Sequence, residues 1–122
     1  MKNKHKLIYD PIFRSETLFY SGKNWQDIIS HVKKKYKIDL SKEDFSTARG
    51  TCLESQCPNT KISVWIVWIS NPRDWKTMVH EAAHLTFRIL DFRGVSYGGM
   101  DSETWCYLHE YFISKFWHIM RN

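Results

Sequence analysis

The segment 62–69 reads Ile-Ser-Val-Trp-Ile-Val-Trp-Ile and is apolar at almost every position. A run of this length suits a β-strand and is much too short to cross a membrane. Successive side chains of a strand point to opposite faces, so a strand that is apolar throughout needs cover on both faces. We therefore expect packed structure on each side of it, with Trp65 and Trp68 in the core rather than facing a substrate.

The rest of the chain divides into short elements separated by turn signals. Asn24 suits a helix cap, and the apolar residues that follow it repeat at helical spacing. The pattern predicts a single α+β domain over residues 1–122, with a small mixed sheet packed against helices. The predicted elements are an extended edge segment at 7–13, a strand at 16–21, a helix at 25–36, strands at 45–54 and 62–69, a helix at 72–93 and a helix at 102–120.

The segment His80-Glu81-Ala82-Ala83-His84 has the form H-E-x-x-H. On a helix, residues four apart lie on the same face, so both imidazoles would point the same way. Two imidazoles at this spacing can hold one Zn²⁺, and Glu81 would lie beside a water molecule held there, where it can accept a proton. The pattern therefore predicts two metal ligands and a general base on one helix.

The residues around the motif indicate a helix from about Pro72 to Arg93. Asn71 can cap this helix, Pro72 suits its first position, and Asp74 places negative charge in the first turn. Gly94 suits a left-handed stop at the other end. Apolar residues recur near one side of the helix: Trp75, Val79, Ala82, Phe87 and Leu90.

A catalytic zinc site needs three protein ligands and one open position. Glu103 lies nineteen residues past His84, in the first turn of the final predicted helix. A short loop makes two helices antiparallel neighbours, so Glu103 can face the histidine pair. The helix dipole also favours a first-turn carboxylate without any metal. Alternative ligands are Asp101, His109 and Glu110, and Glu110 could instead hold an imidazole N–H.

H-E-x-x-H at 80–84, a short glycine-containing loop and Glu103 at the start of a helix together resemble the gluzincin branch of the zincin metallopeptidases. The chain is also similar to small uncharacterised zincin-like proteins encoded by phages and prophages. The resemblance covers roughly residues 60–112 and implies a minimal zincin-like domain, Zn²⁺ as cofactor, and a peptide or protein substrate. The second similarity involves Val79 to His84, Ile89-Leu90-Asp91, Gly94, Glu103 and Tyr107-Leu108.

The chain departs from the gluzincin pattern in two places. Many gluzincins carry an Asp four residues after the ligand Glu, where it orients a zinc-bound His, and here that position is Tyr107. Gluzincin peptidases also use a Tyr or His of a downstream subdomain to stabilise the oxyanion, and we expect no room for that subdomain in 122 residues. Tyr97, Tyr107 and His109 are candidates for the oxyanion role.

Charge and cysteine content indicate the surroundings of the protein. The formal net charge is +5, and part of it lies in Lys33, Lys34, Lys35 and Lys37. Such a cluster can attract nucleic acid weakly, although lysines are also favoured at the C-terminal end of a helix. Three cysteines suggest no disulfide framework, and no apolar signal-peptide core follows the basic start. We therefore expect a cytoplasmic protein without a membrane partner.

Three functions are consistent with these features. The first is a zinc-dependent hydrolase, most simply a small metallopeptidase with Glu81 as general base. The second is a phage-encoded metal-binding module with a zincin-like fold that engages a host partner without turnover. The third is a basic nucleic-acid-binding protein that uses the lysine cluster and exposed tryptophans.

Overall fold

The computed structural model describes residues 4–56, 63–95 and 102–122 of the chain. Within these ranges the α+β class expected from the sequence is confirmed, with four strands and three helices. Among the described residues, no helix combines the length and apolar character needed to cross a bilayer. The elements are β1 (Lys4–Asp10), β2 (Ser15–Ser21), α1 (Trp25–Tyr36), β3 (Gly50–Gln56), β4 (Ser63–Ile69), α2 (Trp75–Phe92) and α3 (Ser102–Arg121).

The four strands form one mixed sheet in the order β1-β2-β4-β3. β1 pairs with β2 and β3 pairs with β4 in antiparallel orientation, whereas β2 and β4 are parallel. The parallel register places Leu18 opposite Ile66 and Tyr20 opposite Trp68. β2 and β4 are therefore the central strands, and β1 and β3 are the two edges.

Alternate residues of the central strands face two separate cores, so the protein has three layers. On one face, Tyr20 and Trp68 pack against α1. On the other face, Phe19 and Val67 pack against α2 and α3. The predicted cover on both faces of β4 is confirmed, and Trp65 (5% exposed) and Trp68 (1% exposed) are both core residues.

The turn between β1 and β2 forms around the buried carboxylate of Asp10. This carboxylate accepts hydrogen bonds from the backbone N–H groups of Ile12 and Phe13 at 3.0 and 3.1 Å, and from Ser15 Oγ at 3.3 Å. These bonds fold the chain back directly after Asp10. The edge strand therefore ends at Asp10, rather than at Phe13 as the apolar pattern indicated.

The third strand begins later than predicted, at Gly50 instead of residue 45. Residues 45–48 form a turn in which the Ala48 N–H donates to the Phe45 carbonyl at 2.9 Å. The Phe45 ring packs edge-on against Trp25, with ring centroids 5.1 Å apart. The apolar character of this segment thus reflects packing over α1 and not pairing in the sheet.

The bounds of α1 are those predicted, and Asn24 caps it by accepting from the Asp27 N–H at 2.9 Å. Helix α2 begins later than predicted, because Asp74 rather than Asn71 provides its cap. Asp74 accepts from the Thr77 N–H at 3.1 Å, whereas Asn71 closes a preceding turn. Gly94 follows α2 with φ of +82°, which agrees with the left-handed stop inferred from the sequence.

The buried face of α2 is rotated relative to the predicted face. Trp75 and Phe87, which belong to the apolar side that the sequence indicated, are 52% and 44% exposed. With the observed face buried, His80 and His84 are exposed to solvent and Glu81 lies at the boundary of the core. The residues that pack inward from α2 are Met78, Ala82, Leu85, Ile89 and Leu90.

Helices α2 and α3 are antiparallel neighbours, as their short connection indicated. Trp117 and Arg121, near the end of α3, line a pocket together with Pro72 and Arg73, which precede α2. The middle of α3 lies beside the early part of α2, where His109 Nε2 is 3.4 Å from a backbone carbonyl oxygen. Residues 57–62 and 96–101 lie outside the described residues. They include most of the turn that Pro58-Asn59 predicts at 56–61 and most of the loop predicted at 94–100 between the last two helices.

Candidate metal centre

His80 and His84 lie one helical turn apart on the exposed side of α2. Their Nε2 atoms are 3.1 Å apart, and the ring planes cross at 80°. Both rings therefore direct the same nitrogen toward one point outside the helix. In a tetrahedral site with metal–nitrogen bonds of about 2.05 Å, two ligand nitrogens are about 3.3 Å apart. The observed separation is close to this value and suits one shared ion.

Glu81 joins the histidine pair from the side of the core. A carboxylate oxygen of Glu81 and the two imidazole nitrogens all lie within 4.8 Å of one another. Glu81 is only 7% exposed, whereas both histidines are open to solvent. Two imidazole nitrogens and a carboxylate oxygen are donors that divalent transition metals accept, so these three residues form a possible metal-binding site.

The surroundings of Glu81 favour a proton-accepting role. Burial raises the pKa of this carboxyl group above its ordinary value, while the charges of His80, His84 and Arg88 act in the opposite direction. Loss of solvation makes a carboxylate a stronger base than it is in water. A proton acceptor with a raised pKa next to a metal site is typical of general-base chemistry.

A cleft opens beside the metal centre, between the start of β3 and the first turns of α2. His80 and Glu81 form one wall of the cleft, and Arg49, Gly50, Lys76 and Thr77 form the rest. Arg49 and Lys76 are both exposed, so their charges can act on a molecule that enters the cleft. The cleft therefore favours a ligand that carries negative charge near the metal centre.

Gly50 sets the distance between β3 and α2. A Cβ atom at this position would lie 2.7 Å from Thr77 Cγ2 and 2.8 Å from the Trp68 carbonyl oxygen. Both distances are far below van der Waals contact, so a larger residue would push the strand and the helix apart. Glycine thus allows the first turn of α2 to lie directly against the end of the sheet.

Arg88 belongs to the site and was not among the predicted residues. Its guanidinium donates to the Cys52 carbonyl oxygen at 2.9 Å. The Arg49 carbonyl accepts from the Ser70 N–H, so alternation along the strand directs the Cys52 carbonyl away from β4. Arg88 therefore covers a carbonyl on the outer edge of β3 while its charge acts on Glu81. Its one sequence signal is a spacing of two helical turns from Glu81.

The predicted third ligand, Glu103, lies in the first turn of α3 and is exposed. In the part of the chain that the structure describes, the cluster of ligand atoms consists of His80, Glu81 and His84. Glu103 is outside this cluster, and its role as a ligand stays a prediction. Tyr97 and Asp101, also predicted as site residues, lie outside the described residues.

The other candidates on α3 occupy two different environments. Tyr107 is 63% exposed, and Glu110 is exposed on the same helix. His109 is half-buried between the helices, with Nε2 at 3.4 Å from the Val79 carbonyl oxygen and its ring 4.6 Å from that of Trp105. His109 thus contacts the helix that carries the motif at the residue before His80.

Comparison with known proteins found no family, no curated protein and no solved structure that matches this chain. The possible metal site therefore rests on the geometry of His80, Glu81 and His84, and membership of a zincin family stays a prediction from the sequence.

Proposed function

We propose that the protein is a zinc-dependent hydrolase with a minimal zincin-like fold that cleaves peptides or proteins. One observation carries the proposal. The Nε2 atoms of His80 and His84 converge to 3.1 Å, and a buried carboxylate lies within 4.8 Å of both. Metal-assisted hydrolysis needs such a pair of ligands together with a nearby proton acceptor.

His80 and His84 would hold the ion through Nε2. Zinc is the favoured ion because it accepts imidazole and carboxylate ligands in four-coordinate sites and needs no redox chemistry. When bound, zinc supplies a Lewis acid that polarises a carbonyl group and lowers the pKa of water. Glu81 accepts the proton of the attacking water and passes it to the leaving amine, and burial of its carboxylate limits competing contact with solvent.

We assign Glu103 as the third ligand on the basis of helix geometry. His109 of α3 lies beside Val79 of α2, and the two helices run in opposite directions. An α-helix rises about 1.5 Å per residue. Glu103 lies six residues before His109, which is about 9 Å along α3, and His84 lies five residues after Val79, which is about 8 Å along α2 in the same direction. Glu103 is therefore level with His84, and both residues lie on exposed sides of their helices.

The surroundings of the cluster support a peptide substrate. The outer edge of β3 borders the cleft beside His80, and an edge strand can pair with a peptide in extended conformation. Arg49 and Lys76 in the same cleft favour a substrate with a carboxylate near the scissile bond. The Cys52 carbonyl on this edge already accepts a hydrogen bond from Arg88, which limits where a peptide can pair with β3.

The second candidate function is metal binding without turnover. It is supported by Tyr107, which occupies the position where many gluzincins have an orienting Asp and which is 63% exposed. In this alternative the ion mainly adds folding free energy. The protein would then act by contact with a protein partner instead of by turnover.

The two functions are separated by the variant Glu81→Gln, assayed with zinc on a mixture of peptides. The amide keeps the size of the side chain but does not accept the proton, so we expect zinc binding to persist and turnover to fall by about 10²- to 10⁴-fold. Glu43→Gln, on an exposed loop away from α2, is the matched control and should leave turnover unchanged. Equal turnover by wild type and Glu81→Gln would refute hydrolysis by this mechanism, and a wild type that binds zinc without turnover would favour the second function.

A further inference from the structure

A second histidine cluster lies on the opposite face of the sheet from His80. His5 of β1 stacks on Tyr20 of β2, with ring centroids 5.3 Å apart and planes at 16°. His31 of α1 meets both rings nearly edge-on, at 4.5 Å from His5 and 5.4 Å from Tyr20. Two strands and a helix thus bring two imidazoles into contact over a buried phenol.

The Tyr20 hydroxyl fixes the orientation of His31. Tyr20 is fully buried, and its oxygen lies 2.7 Å from His31 Nδ1. Burial raises the pKa of Tyr20 far above its ordinary value, so the phenol keeps its proton and can donate it to Nδ1. In that arrangement the imidazole proton of neutral His31 resides on Nε2, which becomes a hydrogen-bond donor of a half-buried side chain.

Lysines lie close to His31 on α1. Lys34 and Lys35 follow it by three and four residues and so lie on the same side of the helix. Lys35 Nζ is 5.6 Å from the centre of the Tyr36 ring, which meets the His31 ring edge-on at 6.4 Å.

Burial lowers the pKa of both His5 and His31, and the charges of Lys23 and Lys35 lower both further. Lys34 adds to the effect on His31. Lys23 lies in the turn before α1, where its carbonyl oxygen accepts from Trp68 Nε1 at 2.8 Å, so its backbone is anchored to the core.

The structure also divides the lysine cluster predicted from the sequence. Lys34 and Lys35 act on His31, whereas Lys33 acts on the carboxylate of Asp39. Lys37 donates from Nζ to the Lys34 carbonyl oxygen at 3.2 Å, at the C-terminal end of α1. The lysines whose charges act on the imidazoles are therefore Lys34 and Lys35 of α1, together with Lys23, which precedes this helix.

We propose that His5, Lys23, His31 and Lys35, with Lys34 at the margin, form a binding site for a phosphate group. Ammonium groups and imidazole N–H groups are donors, and phosphate oxygens accept several such bonds at once. The same lysines repel a metal cation, so this histidine pair is unsuited to the ligand that His80 and His84 would take. The phosphate group can belong to a small phosphorylated molecule or to a nucleic-acid backbone.

The site is tested by following the ring protons of all histidines by NMR during titration with inorganic phosphate at constant ionic strength, with chloride as reference. We expect saturable shifts at His5 and His31 and none at His118, which lies near the end of α3. Saturation with phosphate should also raise the pKa of His5 and His31, because an anion stabilises both imidazolium forms.

Matched variants decide whether the lysines bind the anion. Lys35→Gln should weaken phosphate binding about fivefold, which corresponds to about 1 kcal/mol for one exposed charged contact. Lys115→Gln, an exposed lysine of α3 on the other face of the sheet, should leave the affinity unchanged. Equal loss in both variants, or shifts of equal size at every histidine, would overturn the proposal.

Two further ligands distinguish the sources of the phosphate group. A mononucleotide that binds as tightly as a 12-nucleotide single strand would assign the site to small phosphorylated molecules. Tighter binding of the oligonucleotide, with a salt dependence that falls by about one unit in Lys35→Gln, would assign it to nucleic acid. Absence of saturable shifts with phosphate, mononucleotide and oligonucleotide alike would refute the site.

Discussion

The two faces of the sheet each carry a pair of histidines in close contact, but one pair has a buried carboxylate beside it and the other has lysines. On the α2 face, the imidazoles of His80 and His84 share their surroundings with the buried carboxylate of Glu81. On the α1 face, the charges of Lys23 and Lys35 act on both His5 and His31, and His31 also acts on His5. The side chains that meet are of the same type, so the neighbours decide what each pair can bind.

This comparison has a simple electrostatic basis. A neutral imidazole offers one lone pair and one N–H, and it can act as a metal ligand or as a donor to an anion. A carboxylate within 4.8 Å attracts a cation to the His80 pair. Ammonium groups attract an anion to the His5 pair. A histidine pair alone therefore does not identify a metal site, and the sign of the surrounding charge must be considered with it.

The largest effect that we expect on zinc affinity comes from removing the proposed third ligand, Glu103. Glu103→Ala should weaken zinc binding by more than about 100-fold, because loss of a ligand exceeds the 10- to 100-fold effect of losing a group that only orients one. Glu110→Ala, on the same helix, should weaken zinc binding by no more than the 10- to 100-fold expected for a group that only orients a ligand. Isothermal titration with zinc measures both, and a larger loss in Glu110→Ala would exchange the two assignments.

A pair of variants can test whether zinc binding on one face and phosphate binding on the other are independent. Gly50→Ala adds a Cβ atom 2.7 Å from Thr77 Cγ2 and should cost about 1–3 kcal/mol of stability and weaken zinc binding. Trp68→Phe removes the hydrogen bond to the Lys23 carbonyl and should also cost about 1–3 kcal/mol, but weaken phosphate binding instead. Denaturant unfolding and the two binding assays check this crossed pattern, and loss of both activities in either variant would contradict it.

The smallest expected effect is the pH dependence of stability on the lysine-rich face. The pKa values of His5 and His31 are lower in the folded protein than the ordinary value of 6.5, mainly because of burial. The unfolded chain therefore binds more protons as the pH falls below about 6.5, and the free energy of unfolding decreases through that range. Stability is fully retained above it.

Denaturant unfolding at pH 7.5 and 5.5 measures this decrease. His31→Gln should make the difference between the two pH values smaller, because it removes one of the two shifted groups. Gln26→Ala, at an exposed and non-titrating residue of the same helix, is the control and should leave the difference unchanged. A pH dependence that is identical in wild type and His31→Gln would show that the environment of His31 is not as described.

Local sequence signals predicted much of the fold. The bounds of α1 follow from the Asn24 cap and a regular apolar period, and β4 follows from its continuous apolar run. The predicted start of α2 was wrong, because Asn71 and Asp74 are both good helix caps and only the tertiary structure selects Asp74. Phe45 was read as part of a strand because an apolar residue gives the same signal whether it pairs in a sheet or packs on a helix.

The two histidine sites differ in how far the sequence could reveal them. His80, Glu81 and His84 lie within one segment, so their spacing on a helix predicts their convergence. His5 and His31 meet because the register of β1 on β2 places His5 opposite Tyr20, and α1 then covers the same ring. Such a contact depends on three separate elements and leaves no local pattern. Arg88 was missed for a related reason, since its partner Cys52 belongs to another element.

The metal content of the purified protein tests the central claim most directly. Elemental analysis after exhaustive dialysis against buffer without chelator should find one zinc per chain in the wild type and in His31→Gln, and less than a tenth of that in His84→Ala. Absence of stoichiometric metal from the wild type after loading with zinc, or equal zinc content in wild type and His84→Ala, would contradict the assignment of His80 and His84 as metal ligands.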